Sequence, residues 1–187
     1  MKLPKPKLKA PAQHLFNSMK SNIAIGFSEV QEIPASILLW GPNPNDKSKI
    51  SNLRLELRKD LISKGNVAKF SEELIQRNQL STRIQQLIHA QHFDLIISFP
   101  TSPGAIAEIH DFSLDSRINR KLMVFLDQKY DFGYGNQSLN AICSVETFRI
   151  EVYKGNKDIP RIKRIIYKAV QTIKEMKYIN PSKDNGN

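Results

Sequence analysis

The 187-residue sequence has little of what marks a secreted or membrane-spanning protein. It contains a single cysteine, Cys143, which excludes a disulfide within the chain and favours a reducing compartment. The alternative for this residue is a small, buried, apolar side chain. No run approaches the roughly 18 apolar residues that a bilayer crossing requires, and the lysine-rich start lacks the apolar stretch of a secretion signal. The sequence therefore predicts a cytoplasmic protein.

Signatures of metal and phosphate binding are equally scarce. The chain has four histidines, scattered along its length, beside its one cysteine, so we predict no metal site. The phosphate-loop pattern GxxxxGK[ST] does not occur. Residues 132–138 carry two glycines at the spacing of a dinucleotide fingerprint, but Ser138 stands at the third glycine position and we expect no helix after it. We interpret this segment as a mobile loop or lid.

Positive charge is in excess, and it is concentrated at the two ends. The formal net charge is +10, which is typical of proteins that bind nucleic acid or another anionic partner. Residues 1–20 carry five lysines and no acid, residues 154–187 carry nine basic and three acidic residues, and the segment between them has a net charge of −1. The basic ends are therefore candidates for binding phosphate backbones, with a solvated surface as the alternative.

Proline and polar residues delimit one domain. Pro4, Pro6 and Pro11 lie among lysines and predict an extended conformation for residues 1–12, within a basic N-terminal arm of residues 1–20, since proline disfavours both helix and strand. Residues 180–187 are predicted to form a polar tail. Residues 21–179 contain neither repeats nor a linker, and we predict a single α/β domain that ends in a basic amphipathic helix.

Strand and helix patterns alternate within this domain. Short apolar runs predict strands at residues 36–40, 67–70, 93–99, 121–126 and 147–153. Helical spacing of apolar residues predicts helices at residues 53–62, 80–88, 103–112 and from 160 onwards. This alternation favours a mainly parallel sheet of about five strands with helices on both faces.

A parallel sheet binds ligands outside the carboxyl ends of its strands, where three loops are expected to meet. These are residues 41–45, residues 100–104 and the stretch that begins at Asp127. The middle loop leads into a helix whose first amides can receive an anion, and Glu108 lies about one turn into that helix. A carboxylate there can stabilise or trap the cationic sugar carbon that forms when an N-glycosidic bond breaks. The alternative is a capping or surface glutamate.

Three stretches of the chain share a pattern with one known family. They are residues 36–42, an apolar strand followed by Gly-Pro; residues 93–112, a strand followed by Pro-Thr-Ser-Pro-Gly, small residues, Glu108 and a closing Phe; and residues 120–130. Together they resemble the nucleoside 2-deoxyribosyltransferase-like domain of bacterial retron defence effectors. The resemblance implies a flavodoxin-like, Rossmann-like fold and cleavage of a nucleotide N-glycosidic bond, with NAD as a candidate substrate rather than a cofactor.

The resemblance also implies roles for individual residues. Glu108 matches the catalytic carboxylate of the family, and Asp127 lies within the similar region. By position, Asp111 and then Asp46 are the next candidates for a second acid, with a structural role as the alternative for each. Nucleotide binding is predicted for Trp40, Gly41, Pro42, Thr101, Ser102, Pro103, Gly104 and Tyr130, with Tyr134 as a second stacking candidate.

Three functions are consistent with this sequence. The first is a nucleotide N-glycosidase that acts as an anti-phage defence effector or toxin. The second is a nucleotide-binding sensor that uses the same pocket without turnover, and the third is a scaffold held by its basic ends on nucleic acid or a nucleoprotein. We prefer the enzyme, with a reverse transcriptase and its small DNA as a candidate partner, in a homo-oligomer or larger complex without a membrane.

Overall fold

A single parallel sheet organises the chain. The computed structural model describes residues 8–77, 79–130, 133–144 and 148–181. Within these ranges the strands are β1 (Ser36–Trp40), β2 (Val67–Phe70), β3 (Leu95–Ser98), β4 (Leu122–Asp127) and β5 (Arg149–Tyr153). The α-helices are α1 (Ala10–Glu32), α2 (Lys49–Ser63), α3 (Thr82–Gln91), α4 (Pro103–Ser113), α5 (Tyr134–Cys143) and α6 (Ile159–Ile179).

The strands lie in the order β2-β1-β3-β4-β5, and every neighbouring pair is parallel. This is the order of flavodoxin-like, doubly wound folds. The predicted α/β class, with a five-stranded parallel sheet of Rossmann-like type, is therefore confirmed. The chain leaves β1 towards one side of the sheet and β3 towards the other, so a crevice opens between the carboxyl ends of these two strands.

Side chains alternate between the two faces of the sheet, as the pleat requires. Ile37 and Leu39 pack on one face with the buried leucines of α2 and with Ile162, Ile166 and Val170 of α6. Leu38 and Trp40 pack on the opposite face with apolar residues of α3, α4 and α5. Because both faces are covered, the central strands β1, β3 and β4 are buried along nearly their whole length, which explains why they read as continuous apolar runs. The edge strands β2 and β5 are only partly buried.

Two helices differ from expectation. The helix α1 begins at Ala10, inside the predicted extended arm, because a proline is tolerated in the first helical turn and Pro11 occupies it. The helix α5 occupies Tyr134–Cys143, where we expected a mobile loop without a helix. Its Leu139 is fully buried, and Ser138 Oγ is hydrogen bonded to His110 Nε2 of α4 at 2.6 Å, so tertiary packing overrides a weak local pattern.

Some predictions fall outside the described residues. They concern residues 1–7 of the arm, residues 182–187 of the tail, residue 132 of the loop and residue 147 at the start of the last predicted strand. The division into arm, domain and tail stays a prediction. None of the helices in the described ranges has the length and apolar character needed to traverse a bilayer.

The basic side chains of α6 are largely engaged within the protein. Lys163 lies 2.8 Å from Glu56, and Arg161 lies 3.2 Å from Glu151. Lys174 is buried and donates to the carbonyl of Gln31 at 2.6 Å, near the end of α1. Burial also lowers the pKa of Lys174. Much of the charge at the C-terminal end therefore stabilises the fold and does not form a free phosphate-binding face.

Candidate functional site

A cavity of about 260 Å³ opens at the carboxyl edge of the sheet, where β1 and β3 end. Its floor includes Trp40 and Ser98, the last residues of these two strands, which are paired in register. The loops after both strands form its sides, and α4 provides one wall. The predicted meeting of the first two loops at this edge is therefore found in the structure, at the point where the strand order reverses.

Six residues singled out from the sequence line this cavity: Trp40, Gly41, Pro42, Thr101, Ser102 and Glu108. They come from the two loops and from α4, so chain segments about 60 residues apart converge. Pro103 and Gly104 belong to the first turn of α4 but are not part of the lining. The structure thus brings together most of the predicted nucleotide-binding residues around one carboxylate.

Glu108 is exposed and faces the cavity from α4. It lies in the second turn of the helix, and the first turn contains no acidic residue. The cap of α4 is Ser102, whose hydroxyl accepts a hydrogen bond from the backbone N–H of Ala105 at 3.2 Å. Glu108 is therefore not the cap of this helix. Among the described residues it has no hydrogen-bond or ion-pair partner, so its carboxylate is available to a ligand.

A second carboxylate lines the cavity, and sequence reasoning missed it. Glu72 lies in a 3₁₀ turn, Ser71–Glu73, that directly follows β2, and both Ser71 and Glu72 contribute to the lining. The signal was present, because the residues after a predicted parallel strand belong to the same ligand-binding edge. Gln86 of α3 completes this side.

A buried arginine holds Glu72 in place. Arg54 of α2 is fully buried, and its Nη1 and Nη2 atoms each donate to one carboxylate oxygen of Glu72 at 3.0 Å. The same guanidinium donates to the carbonyls of Leu39 at 2.8 Å and of Pro42. It thereby ties the end of β1, the following loop and the 3₁₀ turn together, in the bidentate geometry that orients a carboxylate most strictly.

Gly41 has a backbone conformation that this arrangement depends on. Its φ is +151°, and a Cβ atom at this position would lie 3.0 Å from Arg54 Cδ and 3.2 Å from the carbonyl oxygen of Phe99. Any side chain here would therefore push the buried guanidinium away. Gly104 differs, because a Cβ there would meet nothing closer than Ser102 Oγ at 4.0 Å.

The indole of Trp40 presents an unused hydrogen-bond donor. Trp40 is 6% exposed, packs against Phe112 with ring centroids 4.9 Å apart, and lines the cavity. Its buried Nε1–H has no hydrogen-bond partner among the described residues. A buried N–H without a partner costs free energy, which a ligand with an acceptor atom could recover.

Tyr130 supports the site from outside the cavity. Its hydroxyl donates to the carbonyl of Thr101 at 2.6 Å, so the stretch after β4 is connected to the loop after β3. Asp127 accepts from the backbone N–H of Lys129 at 3.1 Å and does not line the cavity. Burial, and next the negative charge of Asp127, raises the pKa of Tyr153, so that phenol remains protonated.

The remaining predicted residues lie apart from the cavity. Asp111 forms an exposed ion pair with Arg83 at 3.4 Å. Asp46 donates its backbone N–H to the carbonyl of Asn43 within the first loop and is absent from the lining. The side chain of Tyr134 lies outside the described part of the structure. No group of three or more His, Cys, Asp or Glu side chains among the described residues could hold a metal ion.

Comparison with known proteins gives one informative match. No family model matches the sequence. The chain is 30% identical over 132 residues to the "Retron Ec86 putative ribosyltransferase/DNA-binding protein" of Escherichia coli, and the alignment covers 63% of this chain. It covers 43% of the relative, so the chain spans less than half the length of that protein. The resemblance to retron proteins drawn from the sequence is thereby supported, and the finer assignment to the nucleoside 2-deoxyribosyltransferase-like class stays a prediction.

Proposed function

We propose that this protein cleaves the N-glycosidic bond of a nucleotide, with Glu108 as the catalytic carboxylate. The observation that carries the proposal is the position of Glu108, which is unpartnered among the described residues and faces the cavity at the β1/β3 switch point. A ligand at such a point lies against the strand ends and the start of a helix. The relative from Escherichia coli is named a ribosyltransferase, which agrees with chemistry at a sugar carbon.

The chemistry requires one carboxylate and one water molecule. As the bond between the sugar C1′ and the base nitrogen breaks, the base leaves with the bonding electrons and C1′ becomes positively charged. The Glu108 carboxylate stabilises this charge or forms an ester with C1′, as in retaining glycosidases. Water then adds its oxygen to C1′, and any ester bond to Glu108 breaks with its electrons returning to the carboxylate. The proton that the water loses goes to the departed base nitrogen or, for NAD, whose nicotinamide leaves uncharged, to solvent. The products are the free base and the sugar phosphate, which for NAD are nicotinamide and ADP-ribose.

The other lining residues serve recognition in this proposal. A phosphate is assigned to the start of α4, beside Thr101 and Ser102 of the lining, because the positive end of a helix favours an anion. Glu72, held in place by Arg54, can accept hydrogen bonds from ribose hydroxyls, as acidic residues do in dinucleotide-binding folds. Trp40 offers its indole N–H to an acceptor of the base or the sugar.

Residues outside the cavity are given other roles. We assign Tyr130 a positioning role, since its hydroxyl holds the carbonyl of Thr101. Asp111 and Asp127 do not line the cavity, so they take no direct part in the proposed reaction. This leaves Glu108 and Glu72 as the pair of carboxylates at the site.

The proposed cellular role is based on the similarity to the retron protein of Escherichia coli. We propose a cytoplasmic defence effector that acts with a retron nucleoprotein, a reverse transcriptase with its small DNA, in a homo-oligomer or larger complex. An unrestrained NAD-cleaving enzyme would harm its host, so such a partner would also restrain the activity. The relative is named a DNA-binding protein as well, which is consistent with a nucleic-acid partner.

The experiment compares wild type with two carboxylate variants. The purified protein, alone and with the reverse transcriptase and small DNA of the same locus, is incubated with NAD and a panel of nucleosides and nucleotides, and the products are separated by chromatography. We expect release of a free base that Glu108→Gln lowers by at least about 100-fold. The control Asp111→Asn, one turn further along α4, should retain it.

The alternatives predict different results. Binding of nucleotide without products, equal in wild type and Glu108→Gln, would identify a sensor. No binding of any nucleotide, with salt-sensitive retention of DNA or RNA, would identify a scaffold. Equal loss of activity in Glu108→Gln and Asp111→Asn would contradict the role given to Glu108.

A further inference from the structure

A second cavity lies at the opposite edge of the sheet from Glu108. It has a volume of about 420 Å³ and is bounded by the first residues of β3, β4 and β5 and by one side of α6. The strands that separate it from the carboxyl edge are four to six residues long, so the two cavities are on the order of 15 Å apart at about 3.3 Å per residue. We call this second cavity the amino-edge groove.

Positive charge dominates the lining of the amino-edge groove. Its charged residues are four bases and one acid: Arg120, Lys121, Arg149, Lys168 and Asp94. The acid is fully engaged, because Asp94 Oδ2 accepts from Lys177 Nζ at 2.6 Å and from the Ser36 backbone N–H at 2.7 Å. Burial alone would raise the pKa of Asp94, but these hydrogen bonds outweigh it and lower the pKa. The single negative charge is therefore neutralised from outside the groove.

The basic side chains are mostly uncompensated. Arg120, Arg149 and Lys168 are exposed, and none of them has an ion-pair or hydrogen-bond partner within the described residues. Lys121 Nζ donates to the carbonyl of Gln91 at 2.8 Å, the last residue of α3, which leaves its charge unneutralised by any acid. Four like charges around one cavity create a positive potential that attracts anions.

We propose that the amino-edge groove binds the phosphodiester backbone of a nucleic acid. Arg120 lies two residues before β4, and Arg149 is the first residue of β5. These two strands are neighbours in the sheet and lie about 4.8 Å apart. Lys168 lines the same groove from α6. Such an array of guanidinium and ammonium groups from separate elements fits successive phosphates of one strand, and arginine binds each phosphate in a bidentate manner. Arg164, one turn before Lys168 on α6 and also exposed, continues the positive surface beyond the groove.

The same lining indicates binding without base recognition. None of the described lining residues is aromatic, so the groove offers no platform on which bases stack. Its uncharged lining is largely aliphatic, from residues such as Leu122, Met123 and Ile173, and provides few donors or acceptors for base edges. Binding is therefore expected to depend on phosphate charge and to be insensitive to sequence.

This site differs from the basic termini that the charge distribution first indicated. Arg120, Lys121 and Arg149 belong to the segment whose net charge is −1, and the fold collects them at one edge. Only Lys168 comes from the basic C-terminal segment. The site is also independent of the proposed reaction, because it shares no residue with the cavity that Glu108 faces.

The test compares two variants, one that lacks three charges of the groove and one that lacks three charges elsewhere on the surface. The groove variant carries Arg120→Gln, Arg149→Gln and Lys168→Gln. The control carries Lys59→Gln, Lys69→Gln and Lys154→Gln, which are also exposed and change the net charge equally. Binding of a fluorescent single-stranded oligodeoxynucleotide of about 20 residues is measured by anisotropy from about 50 to 200 mM NaCl. Thermal melting verifies that each full-length variant is folded.

We expect the groove variant to bind at least about tenfold more weakly and to lower the slope of log affinity against log salt by about two. The control variant, and Glu108→Gln, should bind like wild type to within about threefold. Since the three side chains are exposed, their replacement should leave stability within about 0.5 kcal/mol. If the triple variant nevertheless melts early, the double variant Arg149→Gln, Lys168→Gln replaces it, with an expected slope change of about one.

Four results would overturn the proposal. One is equal weakening in the groove and control variants, which would mean that net charge alone acts. The second is wild-type affinity in the folded groove variant, and the third is no binding of any anion by wild type. The fourth is binding of sodium tripolyphosphate with the same dependence on the three side chains while the oligonucleotide is not bound, which would identify a small-anion site.

Discussion

The two edges of the sheet handle charge in opposite ways. At the carboxyl edge Arg54 is buried against Glu72, and of the two carboxylates that line the cavity only Glu108 has no partner among the described residues. At the amino edge the acid Asp94 is paired, and no acid among the described residues pairs with the four bases of the groove. Because the other charges are paired inside the protein, in the described part of the chain the carboxyl edge is left with an unpaired acid and the amino edge with unpaired bases.

Helix direction explains part of this difference. In a parallel α/β fold, the helices begin at the carboxyl edge and end at the amino edge, so the amino edge receives the negative ends of the helix dipoles. The bond from Lys121 to the carbonyl of Gln91 at the end of α3 shows this complementarity directly. At the carboxyl edge the positive helix ends favour ligand phosphates, so a site that contains glutamates can also receive an anionic substrate.

The largest expected difference in stability is between the replacement of two arginines, one from each edge. Arg54→Met should lower the free energy of unfolding by about 3 kcal/mol, because it leaves the carbonyls of Leu39 and Pro42 and the carboxylate of Glu72 without their donor. Arg120→Met should change it by less than about 0.5 kcal/mol, since Arg120 is exposed and unpaired. Urea unfolding measures both. Similar losses of unfolding free energy in the two variants would contradict the contrast between the paired arginine of the carboxyl edge and the unpaired arginine of the amino edge.

The next largest expected difference in stability is between the replacement of two glycines at the carboxyl edge. Gly41→Ala should destabilise by about 2 kcal/mol, because alanine is strained at a φ of +151° and its Cβ would meet Arg54. Gly104→Ala should leave stability unchanged or raise it by about 0.5 kcal/mol, since the position is helical and open. Thermal unfolding of the pair is the measurement. A stable Gly41→Ala protein would show that Arg54 can move aside.

A smaller effect concerns two neighbouring glutamates. Glu72→Gln should raise the KM for the nucleotide about tenfold, the equivalent of one charge-assisted hydrogen bond, with a smaller change in kcat. Glu73→Gln is the matched control, because Glu73 pairs with Arg58 at 2.6 Å and does not line the cavity. Steady-state kinetics of base release distinguish the two. Equal KM values in both variants would remove Glu72 from the site.

The smallest effect tests the paired acid of the amino edge. The lowered pKa of Asp94 means that its ionised form stabilises the folded state above the ordinary carboxyl pKa, and that this stabilisation is lost as pH falls through the lowered value. Asp94→Asn should therefore cost about 1 kcal/mol at pH 7, allowing for solvent screening of a partly exposed pair. The difference should shrink below about pH 4, as followed by melting temperature. A constant difference would contradict the ion pair.

The centre of the sheet could be predicted from the sequence because β1, β3 and β4 are buried on both faces. Each of these strands is a short apolar run at the expected place in the structure, whereas the edge strands β2 and β5 contain charged residues. The helix α1 was not predicted, although Leu15, Met19, Ile23 and Phe27 recur at helical spacing. The structure shows none of its residues buried, so this apolar stripe is not part of the core. The helix α5 begins with Tyr-Gly-Asn-Gln-Ser, residues of low helix propensity, and its stability depends on contacts with α4.

The candidate site could be predicted where it follows fully or almost fully buried, strongly apolar strands. Glu108 and the loops after β1 and β3 belong to such segments. Glu72 follows a four-residue edge strand with little sequence signal of its own. Arg54 was hidden because a helix usually turns its arginines outward, although its spacing from Ile50, Leu57 and Leu61 places it on the buried stripe. A base within an apolar stripe indicates an internal acid, and Glu72 is that acid.

The exposure of the helix α1 has a consequence for local unfolding of the protein. None of its 23 residues is buried, and side chains such as Leu15, Met19 and Phe27 are more than half exposed. Its described attachments lie near its C-terminal end, where Lys174 donates to the carbonyl of Gln31 and Gln31 to Gln171. Its first turns therefore depend on local helix propensity, which is marginal in water. Amide hydrogens there should exchange with solvent many orders of magnitude faster than those of β1 and β3, which are released only by global unfolding.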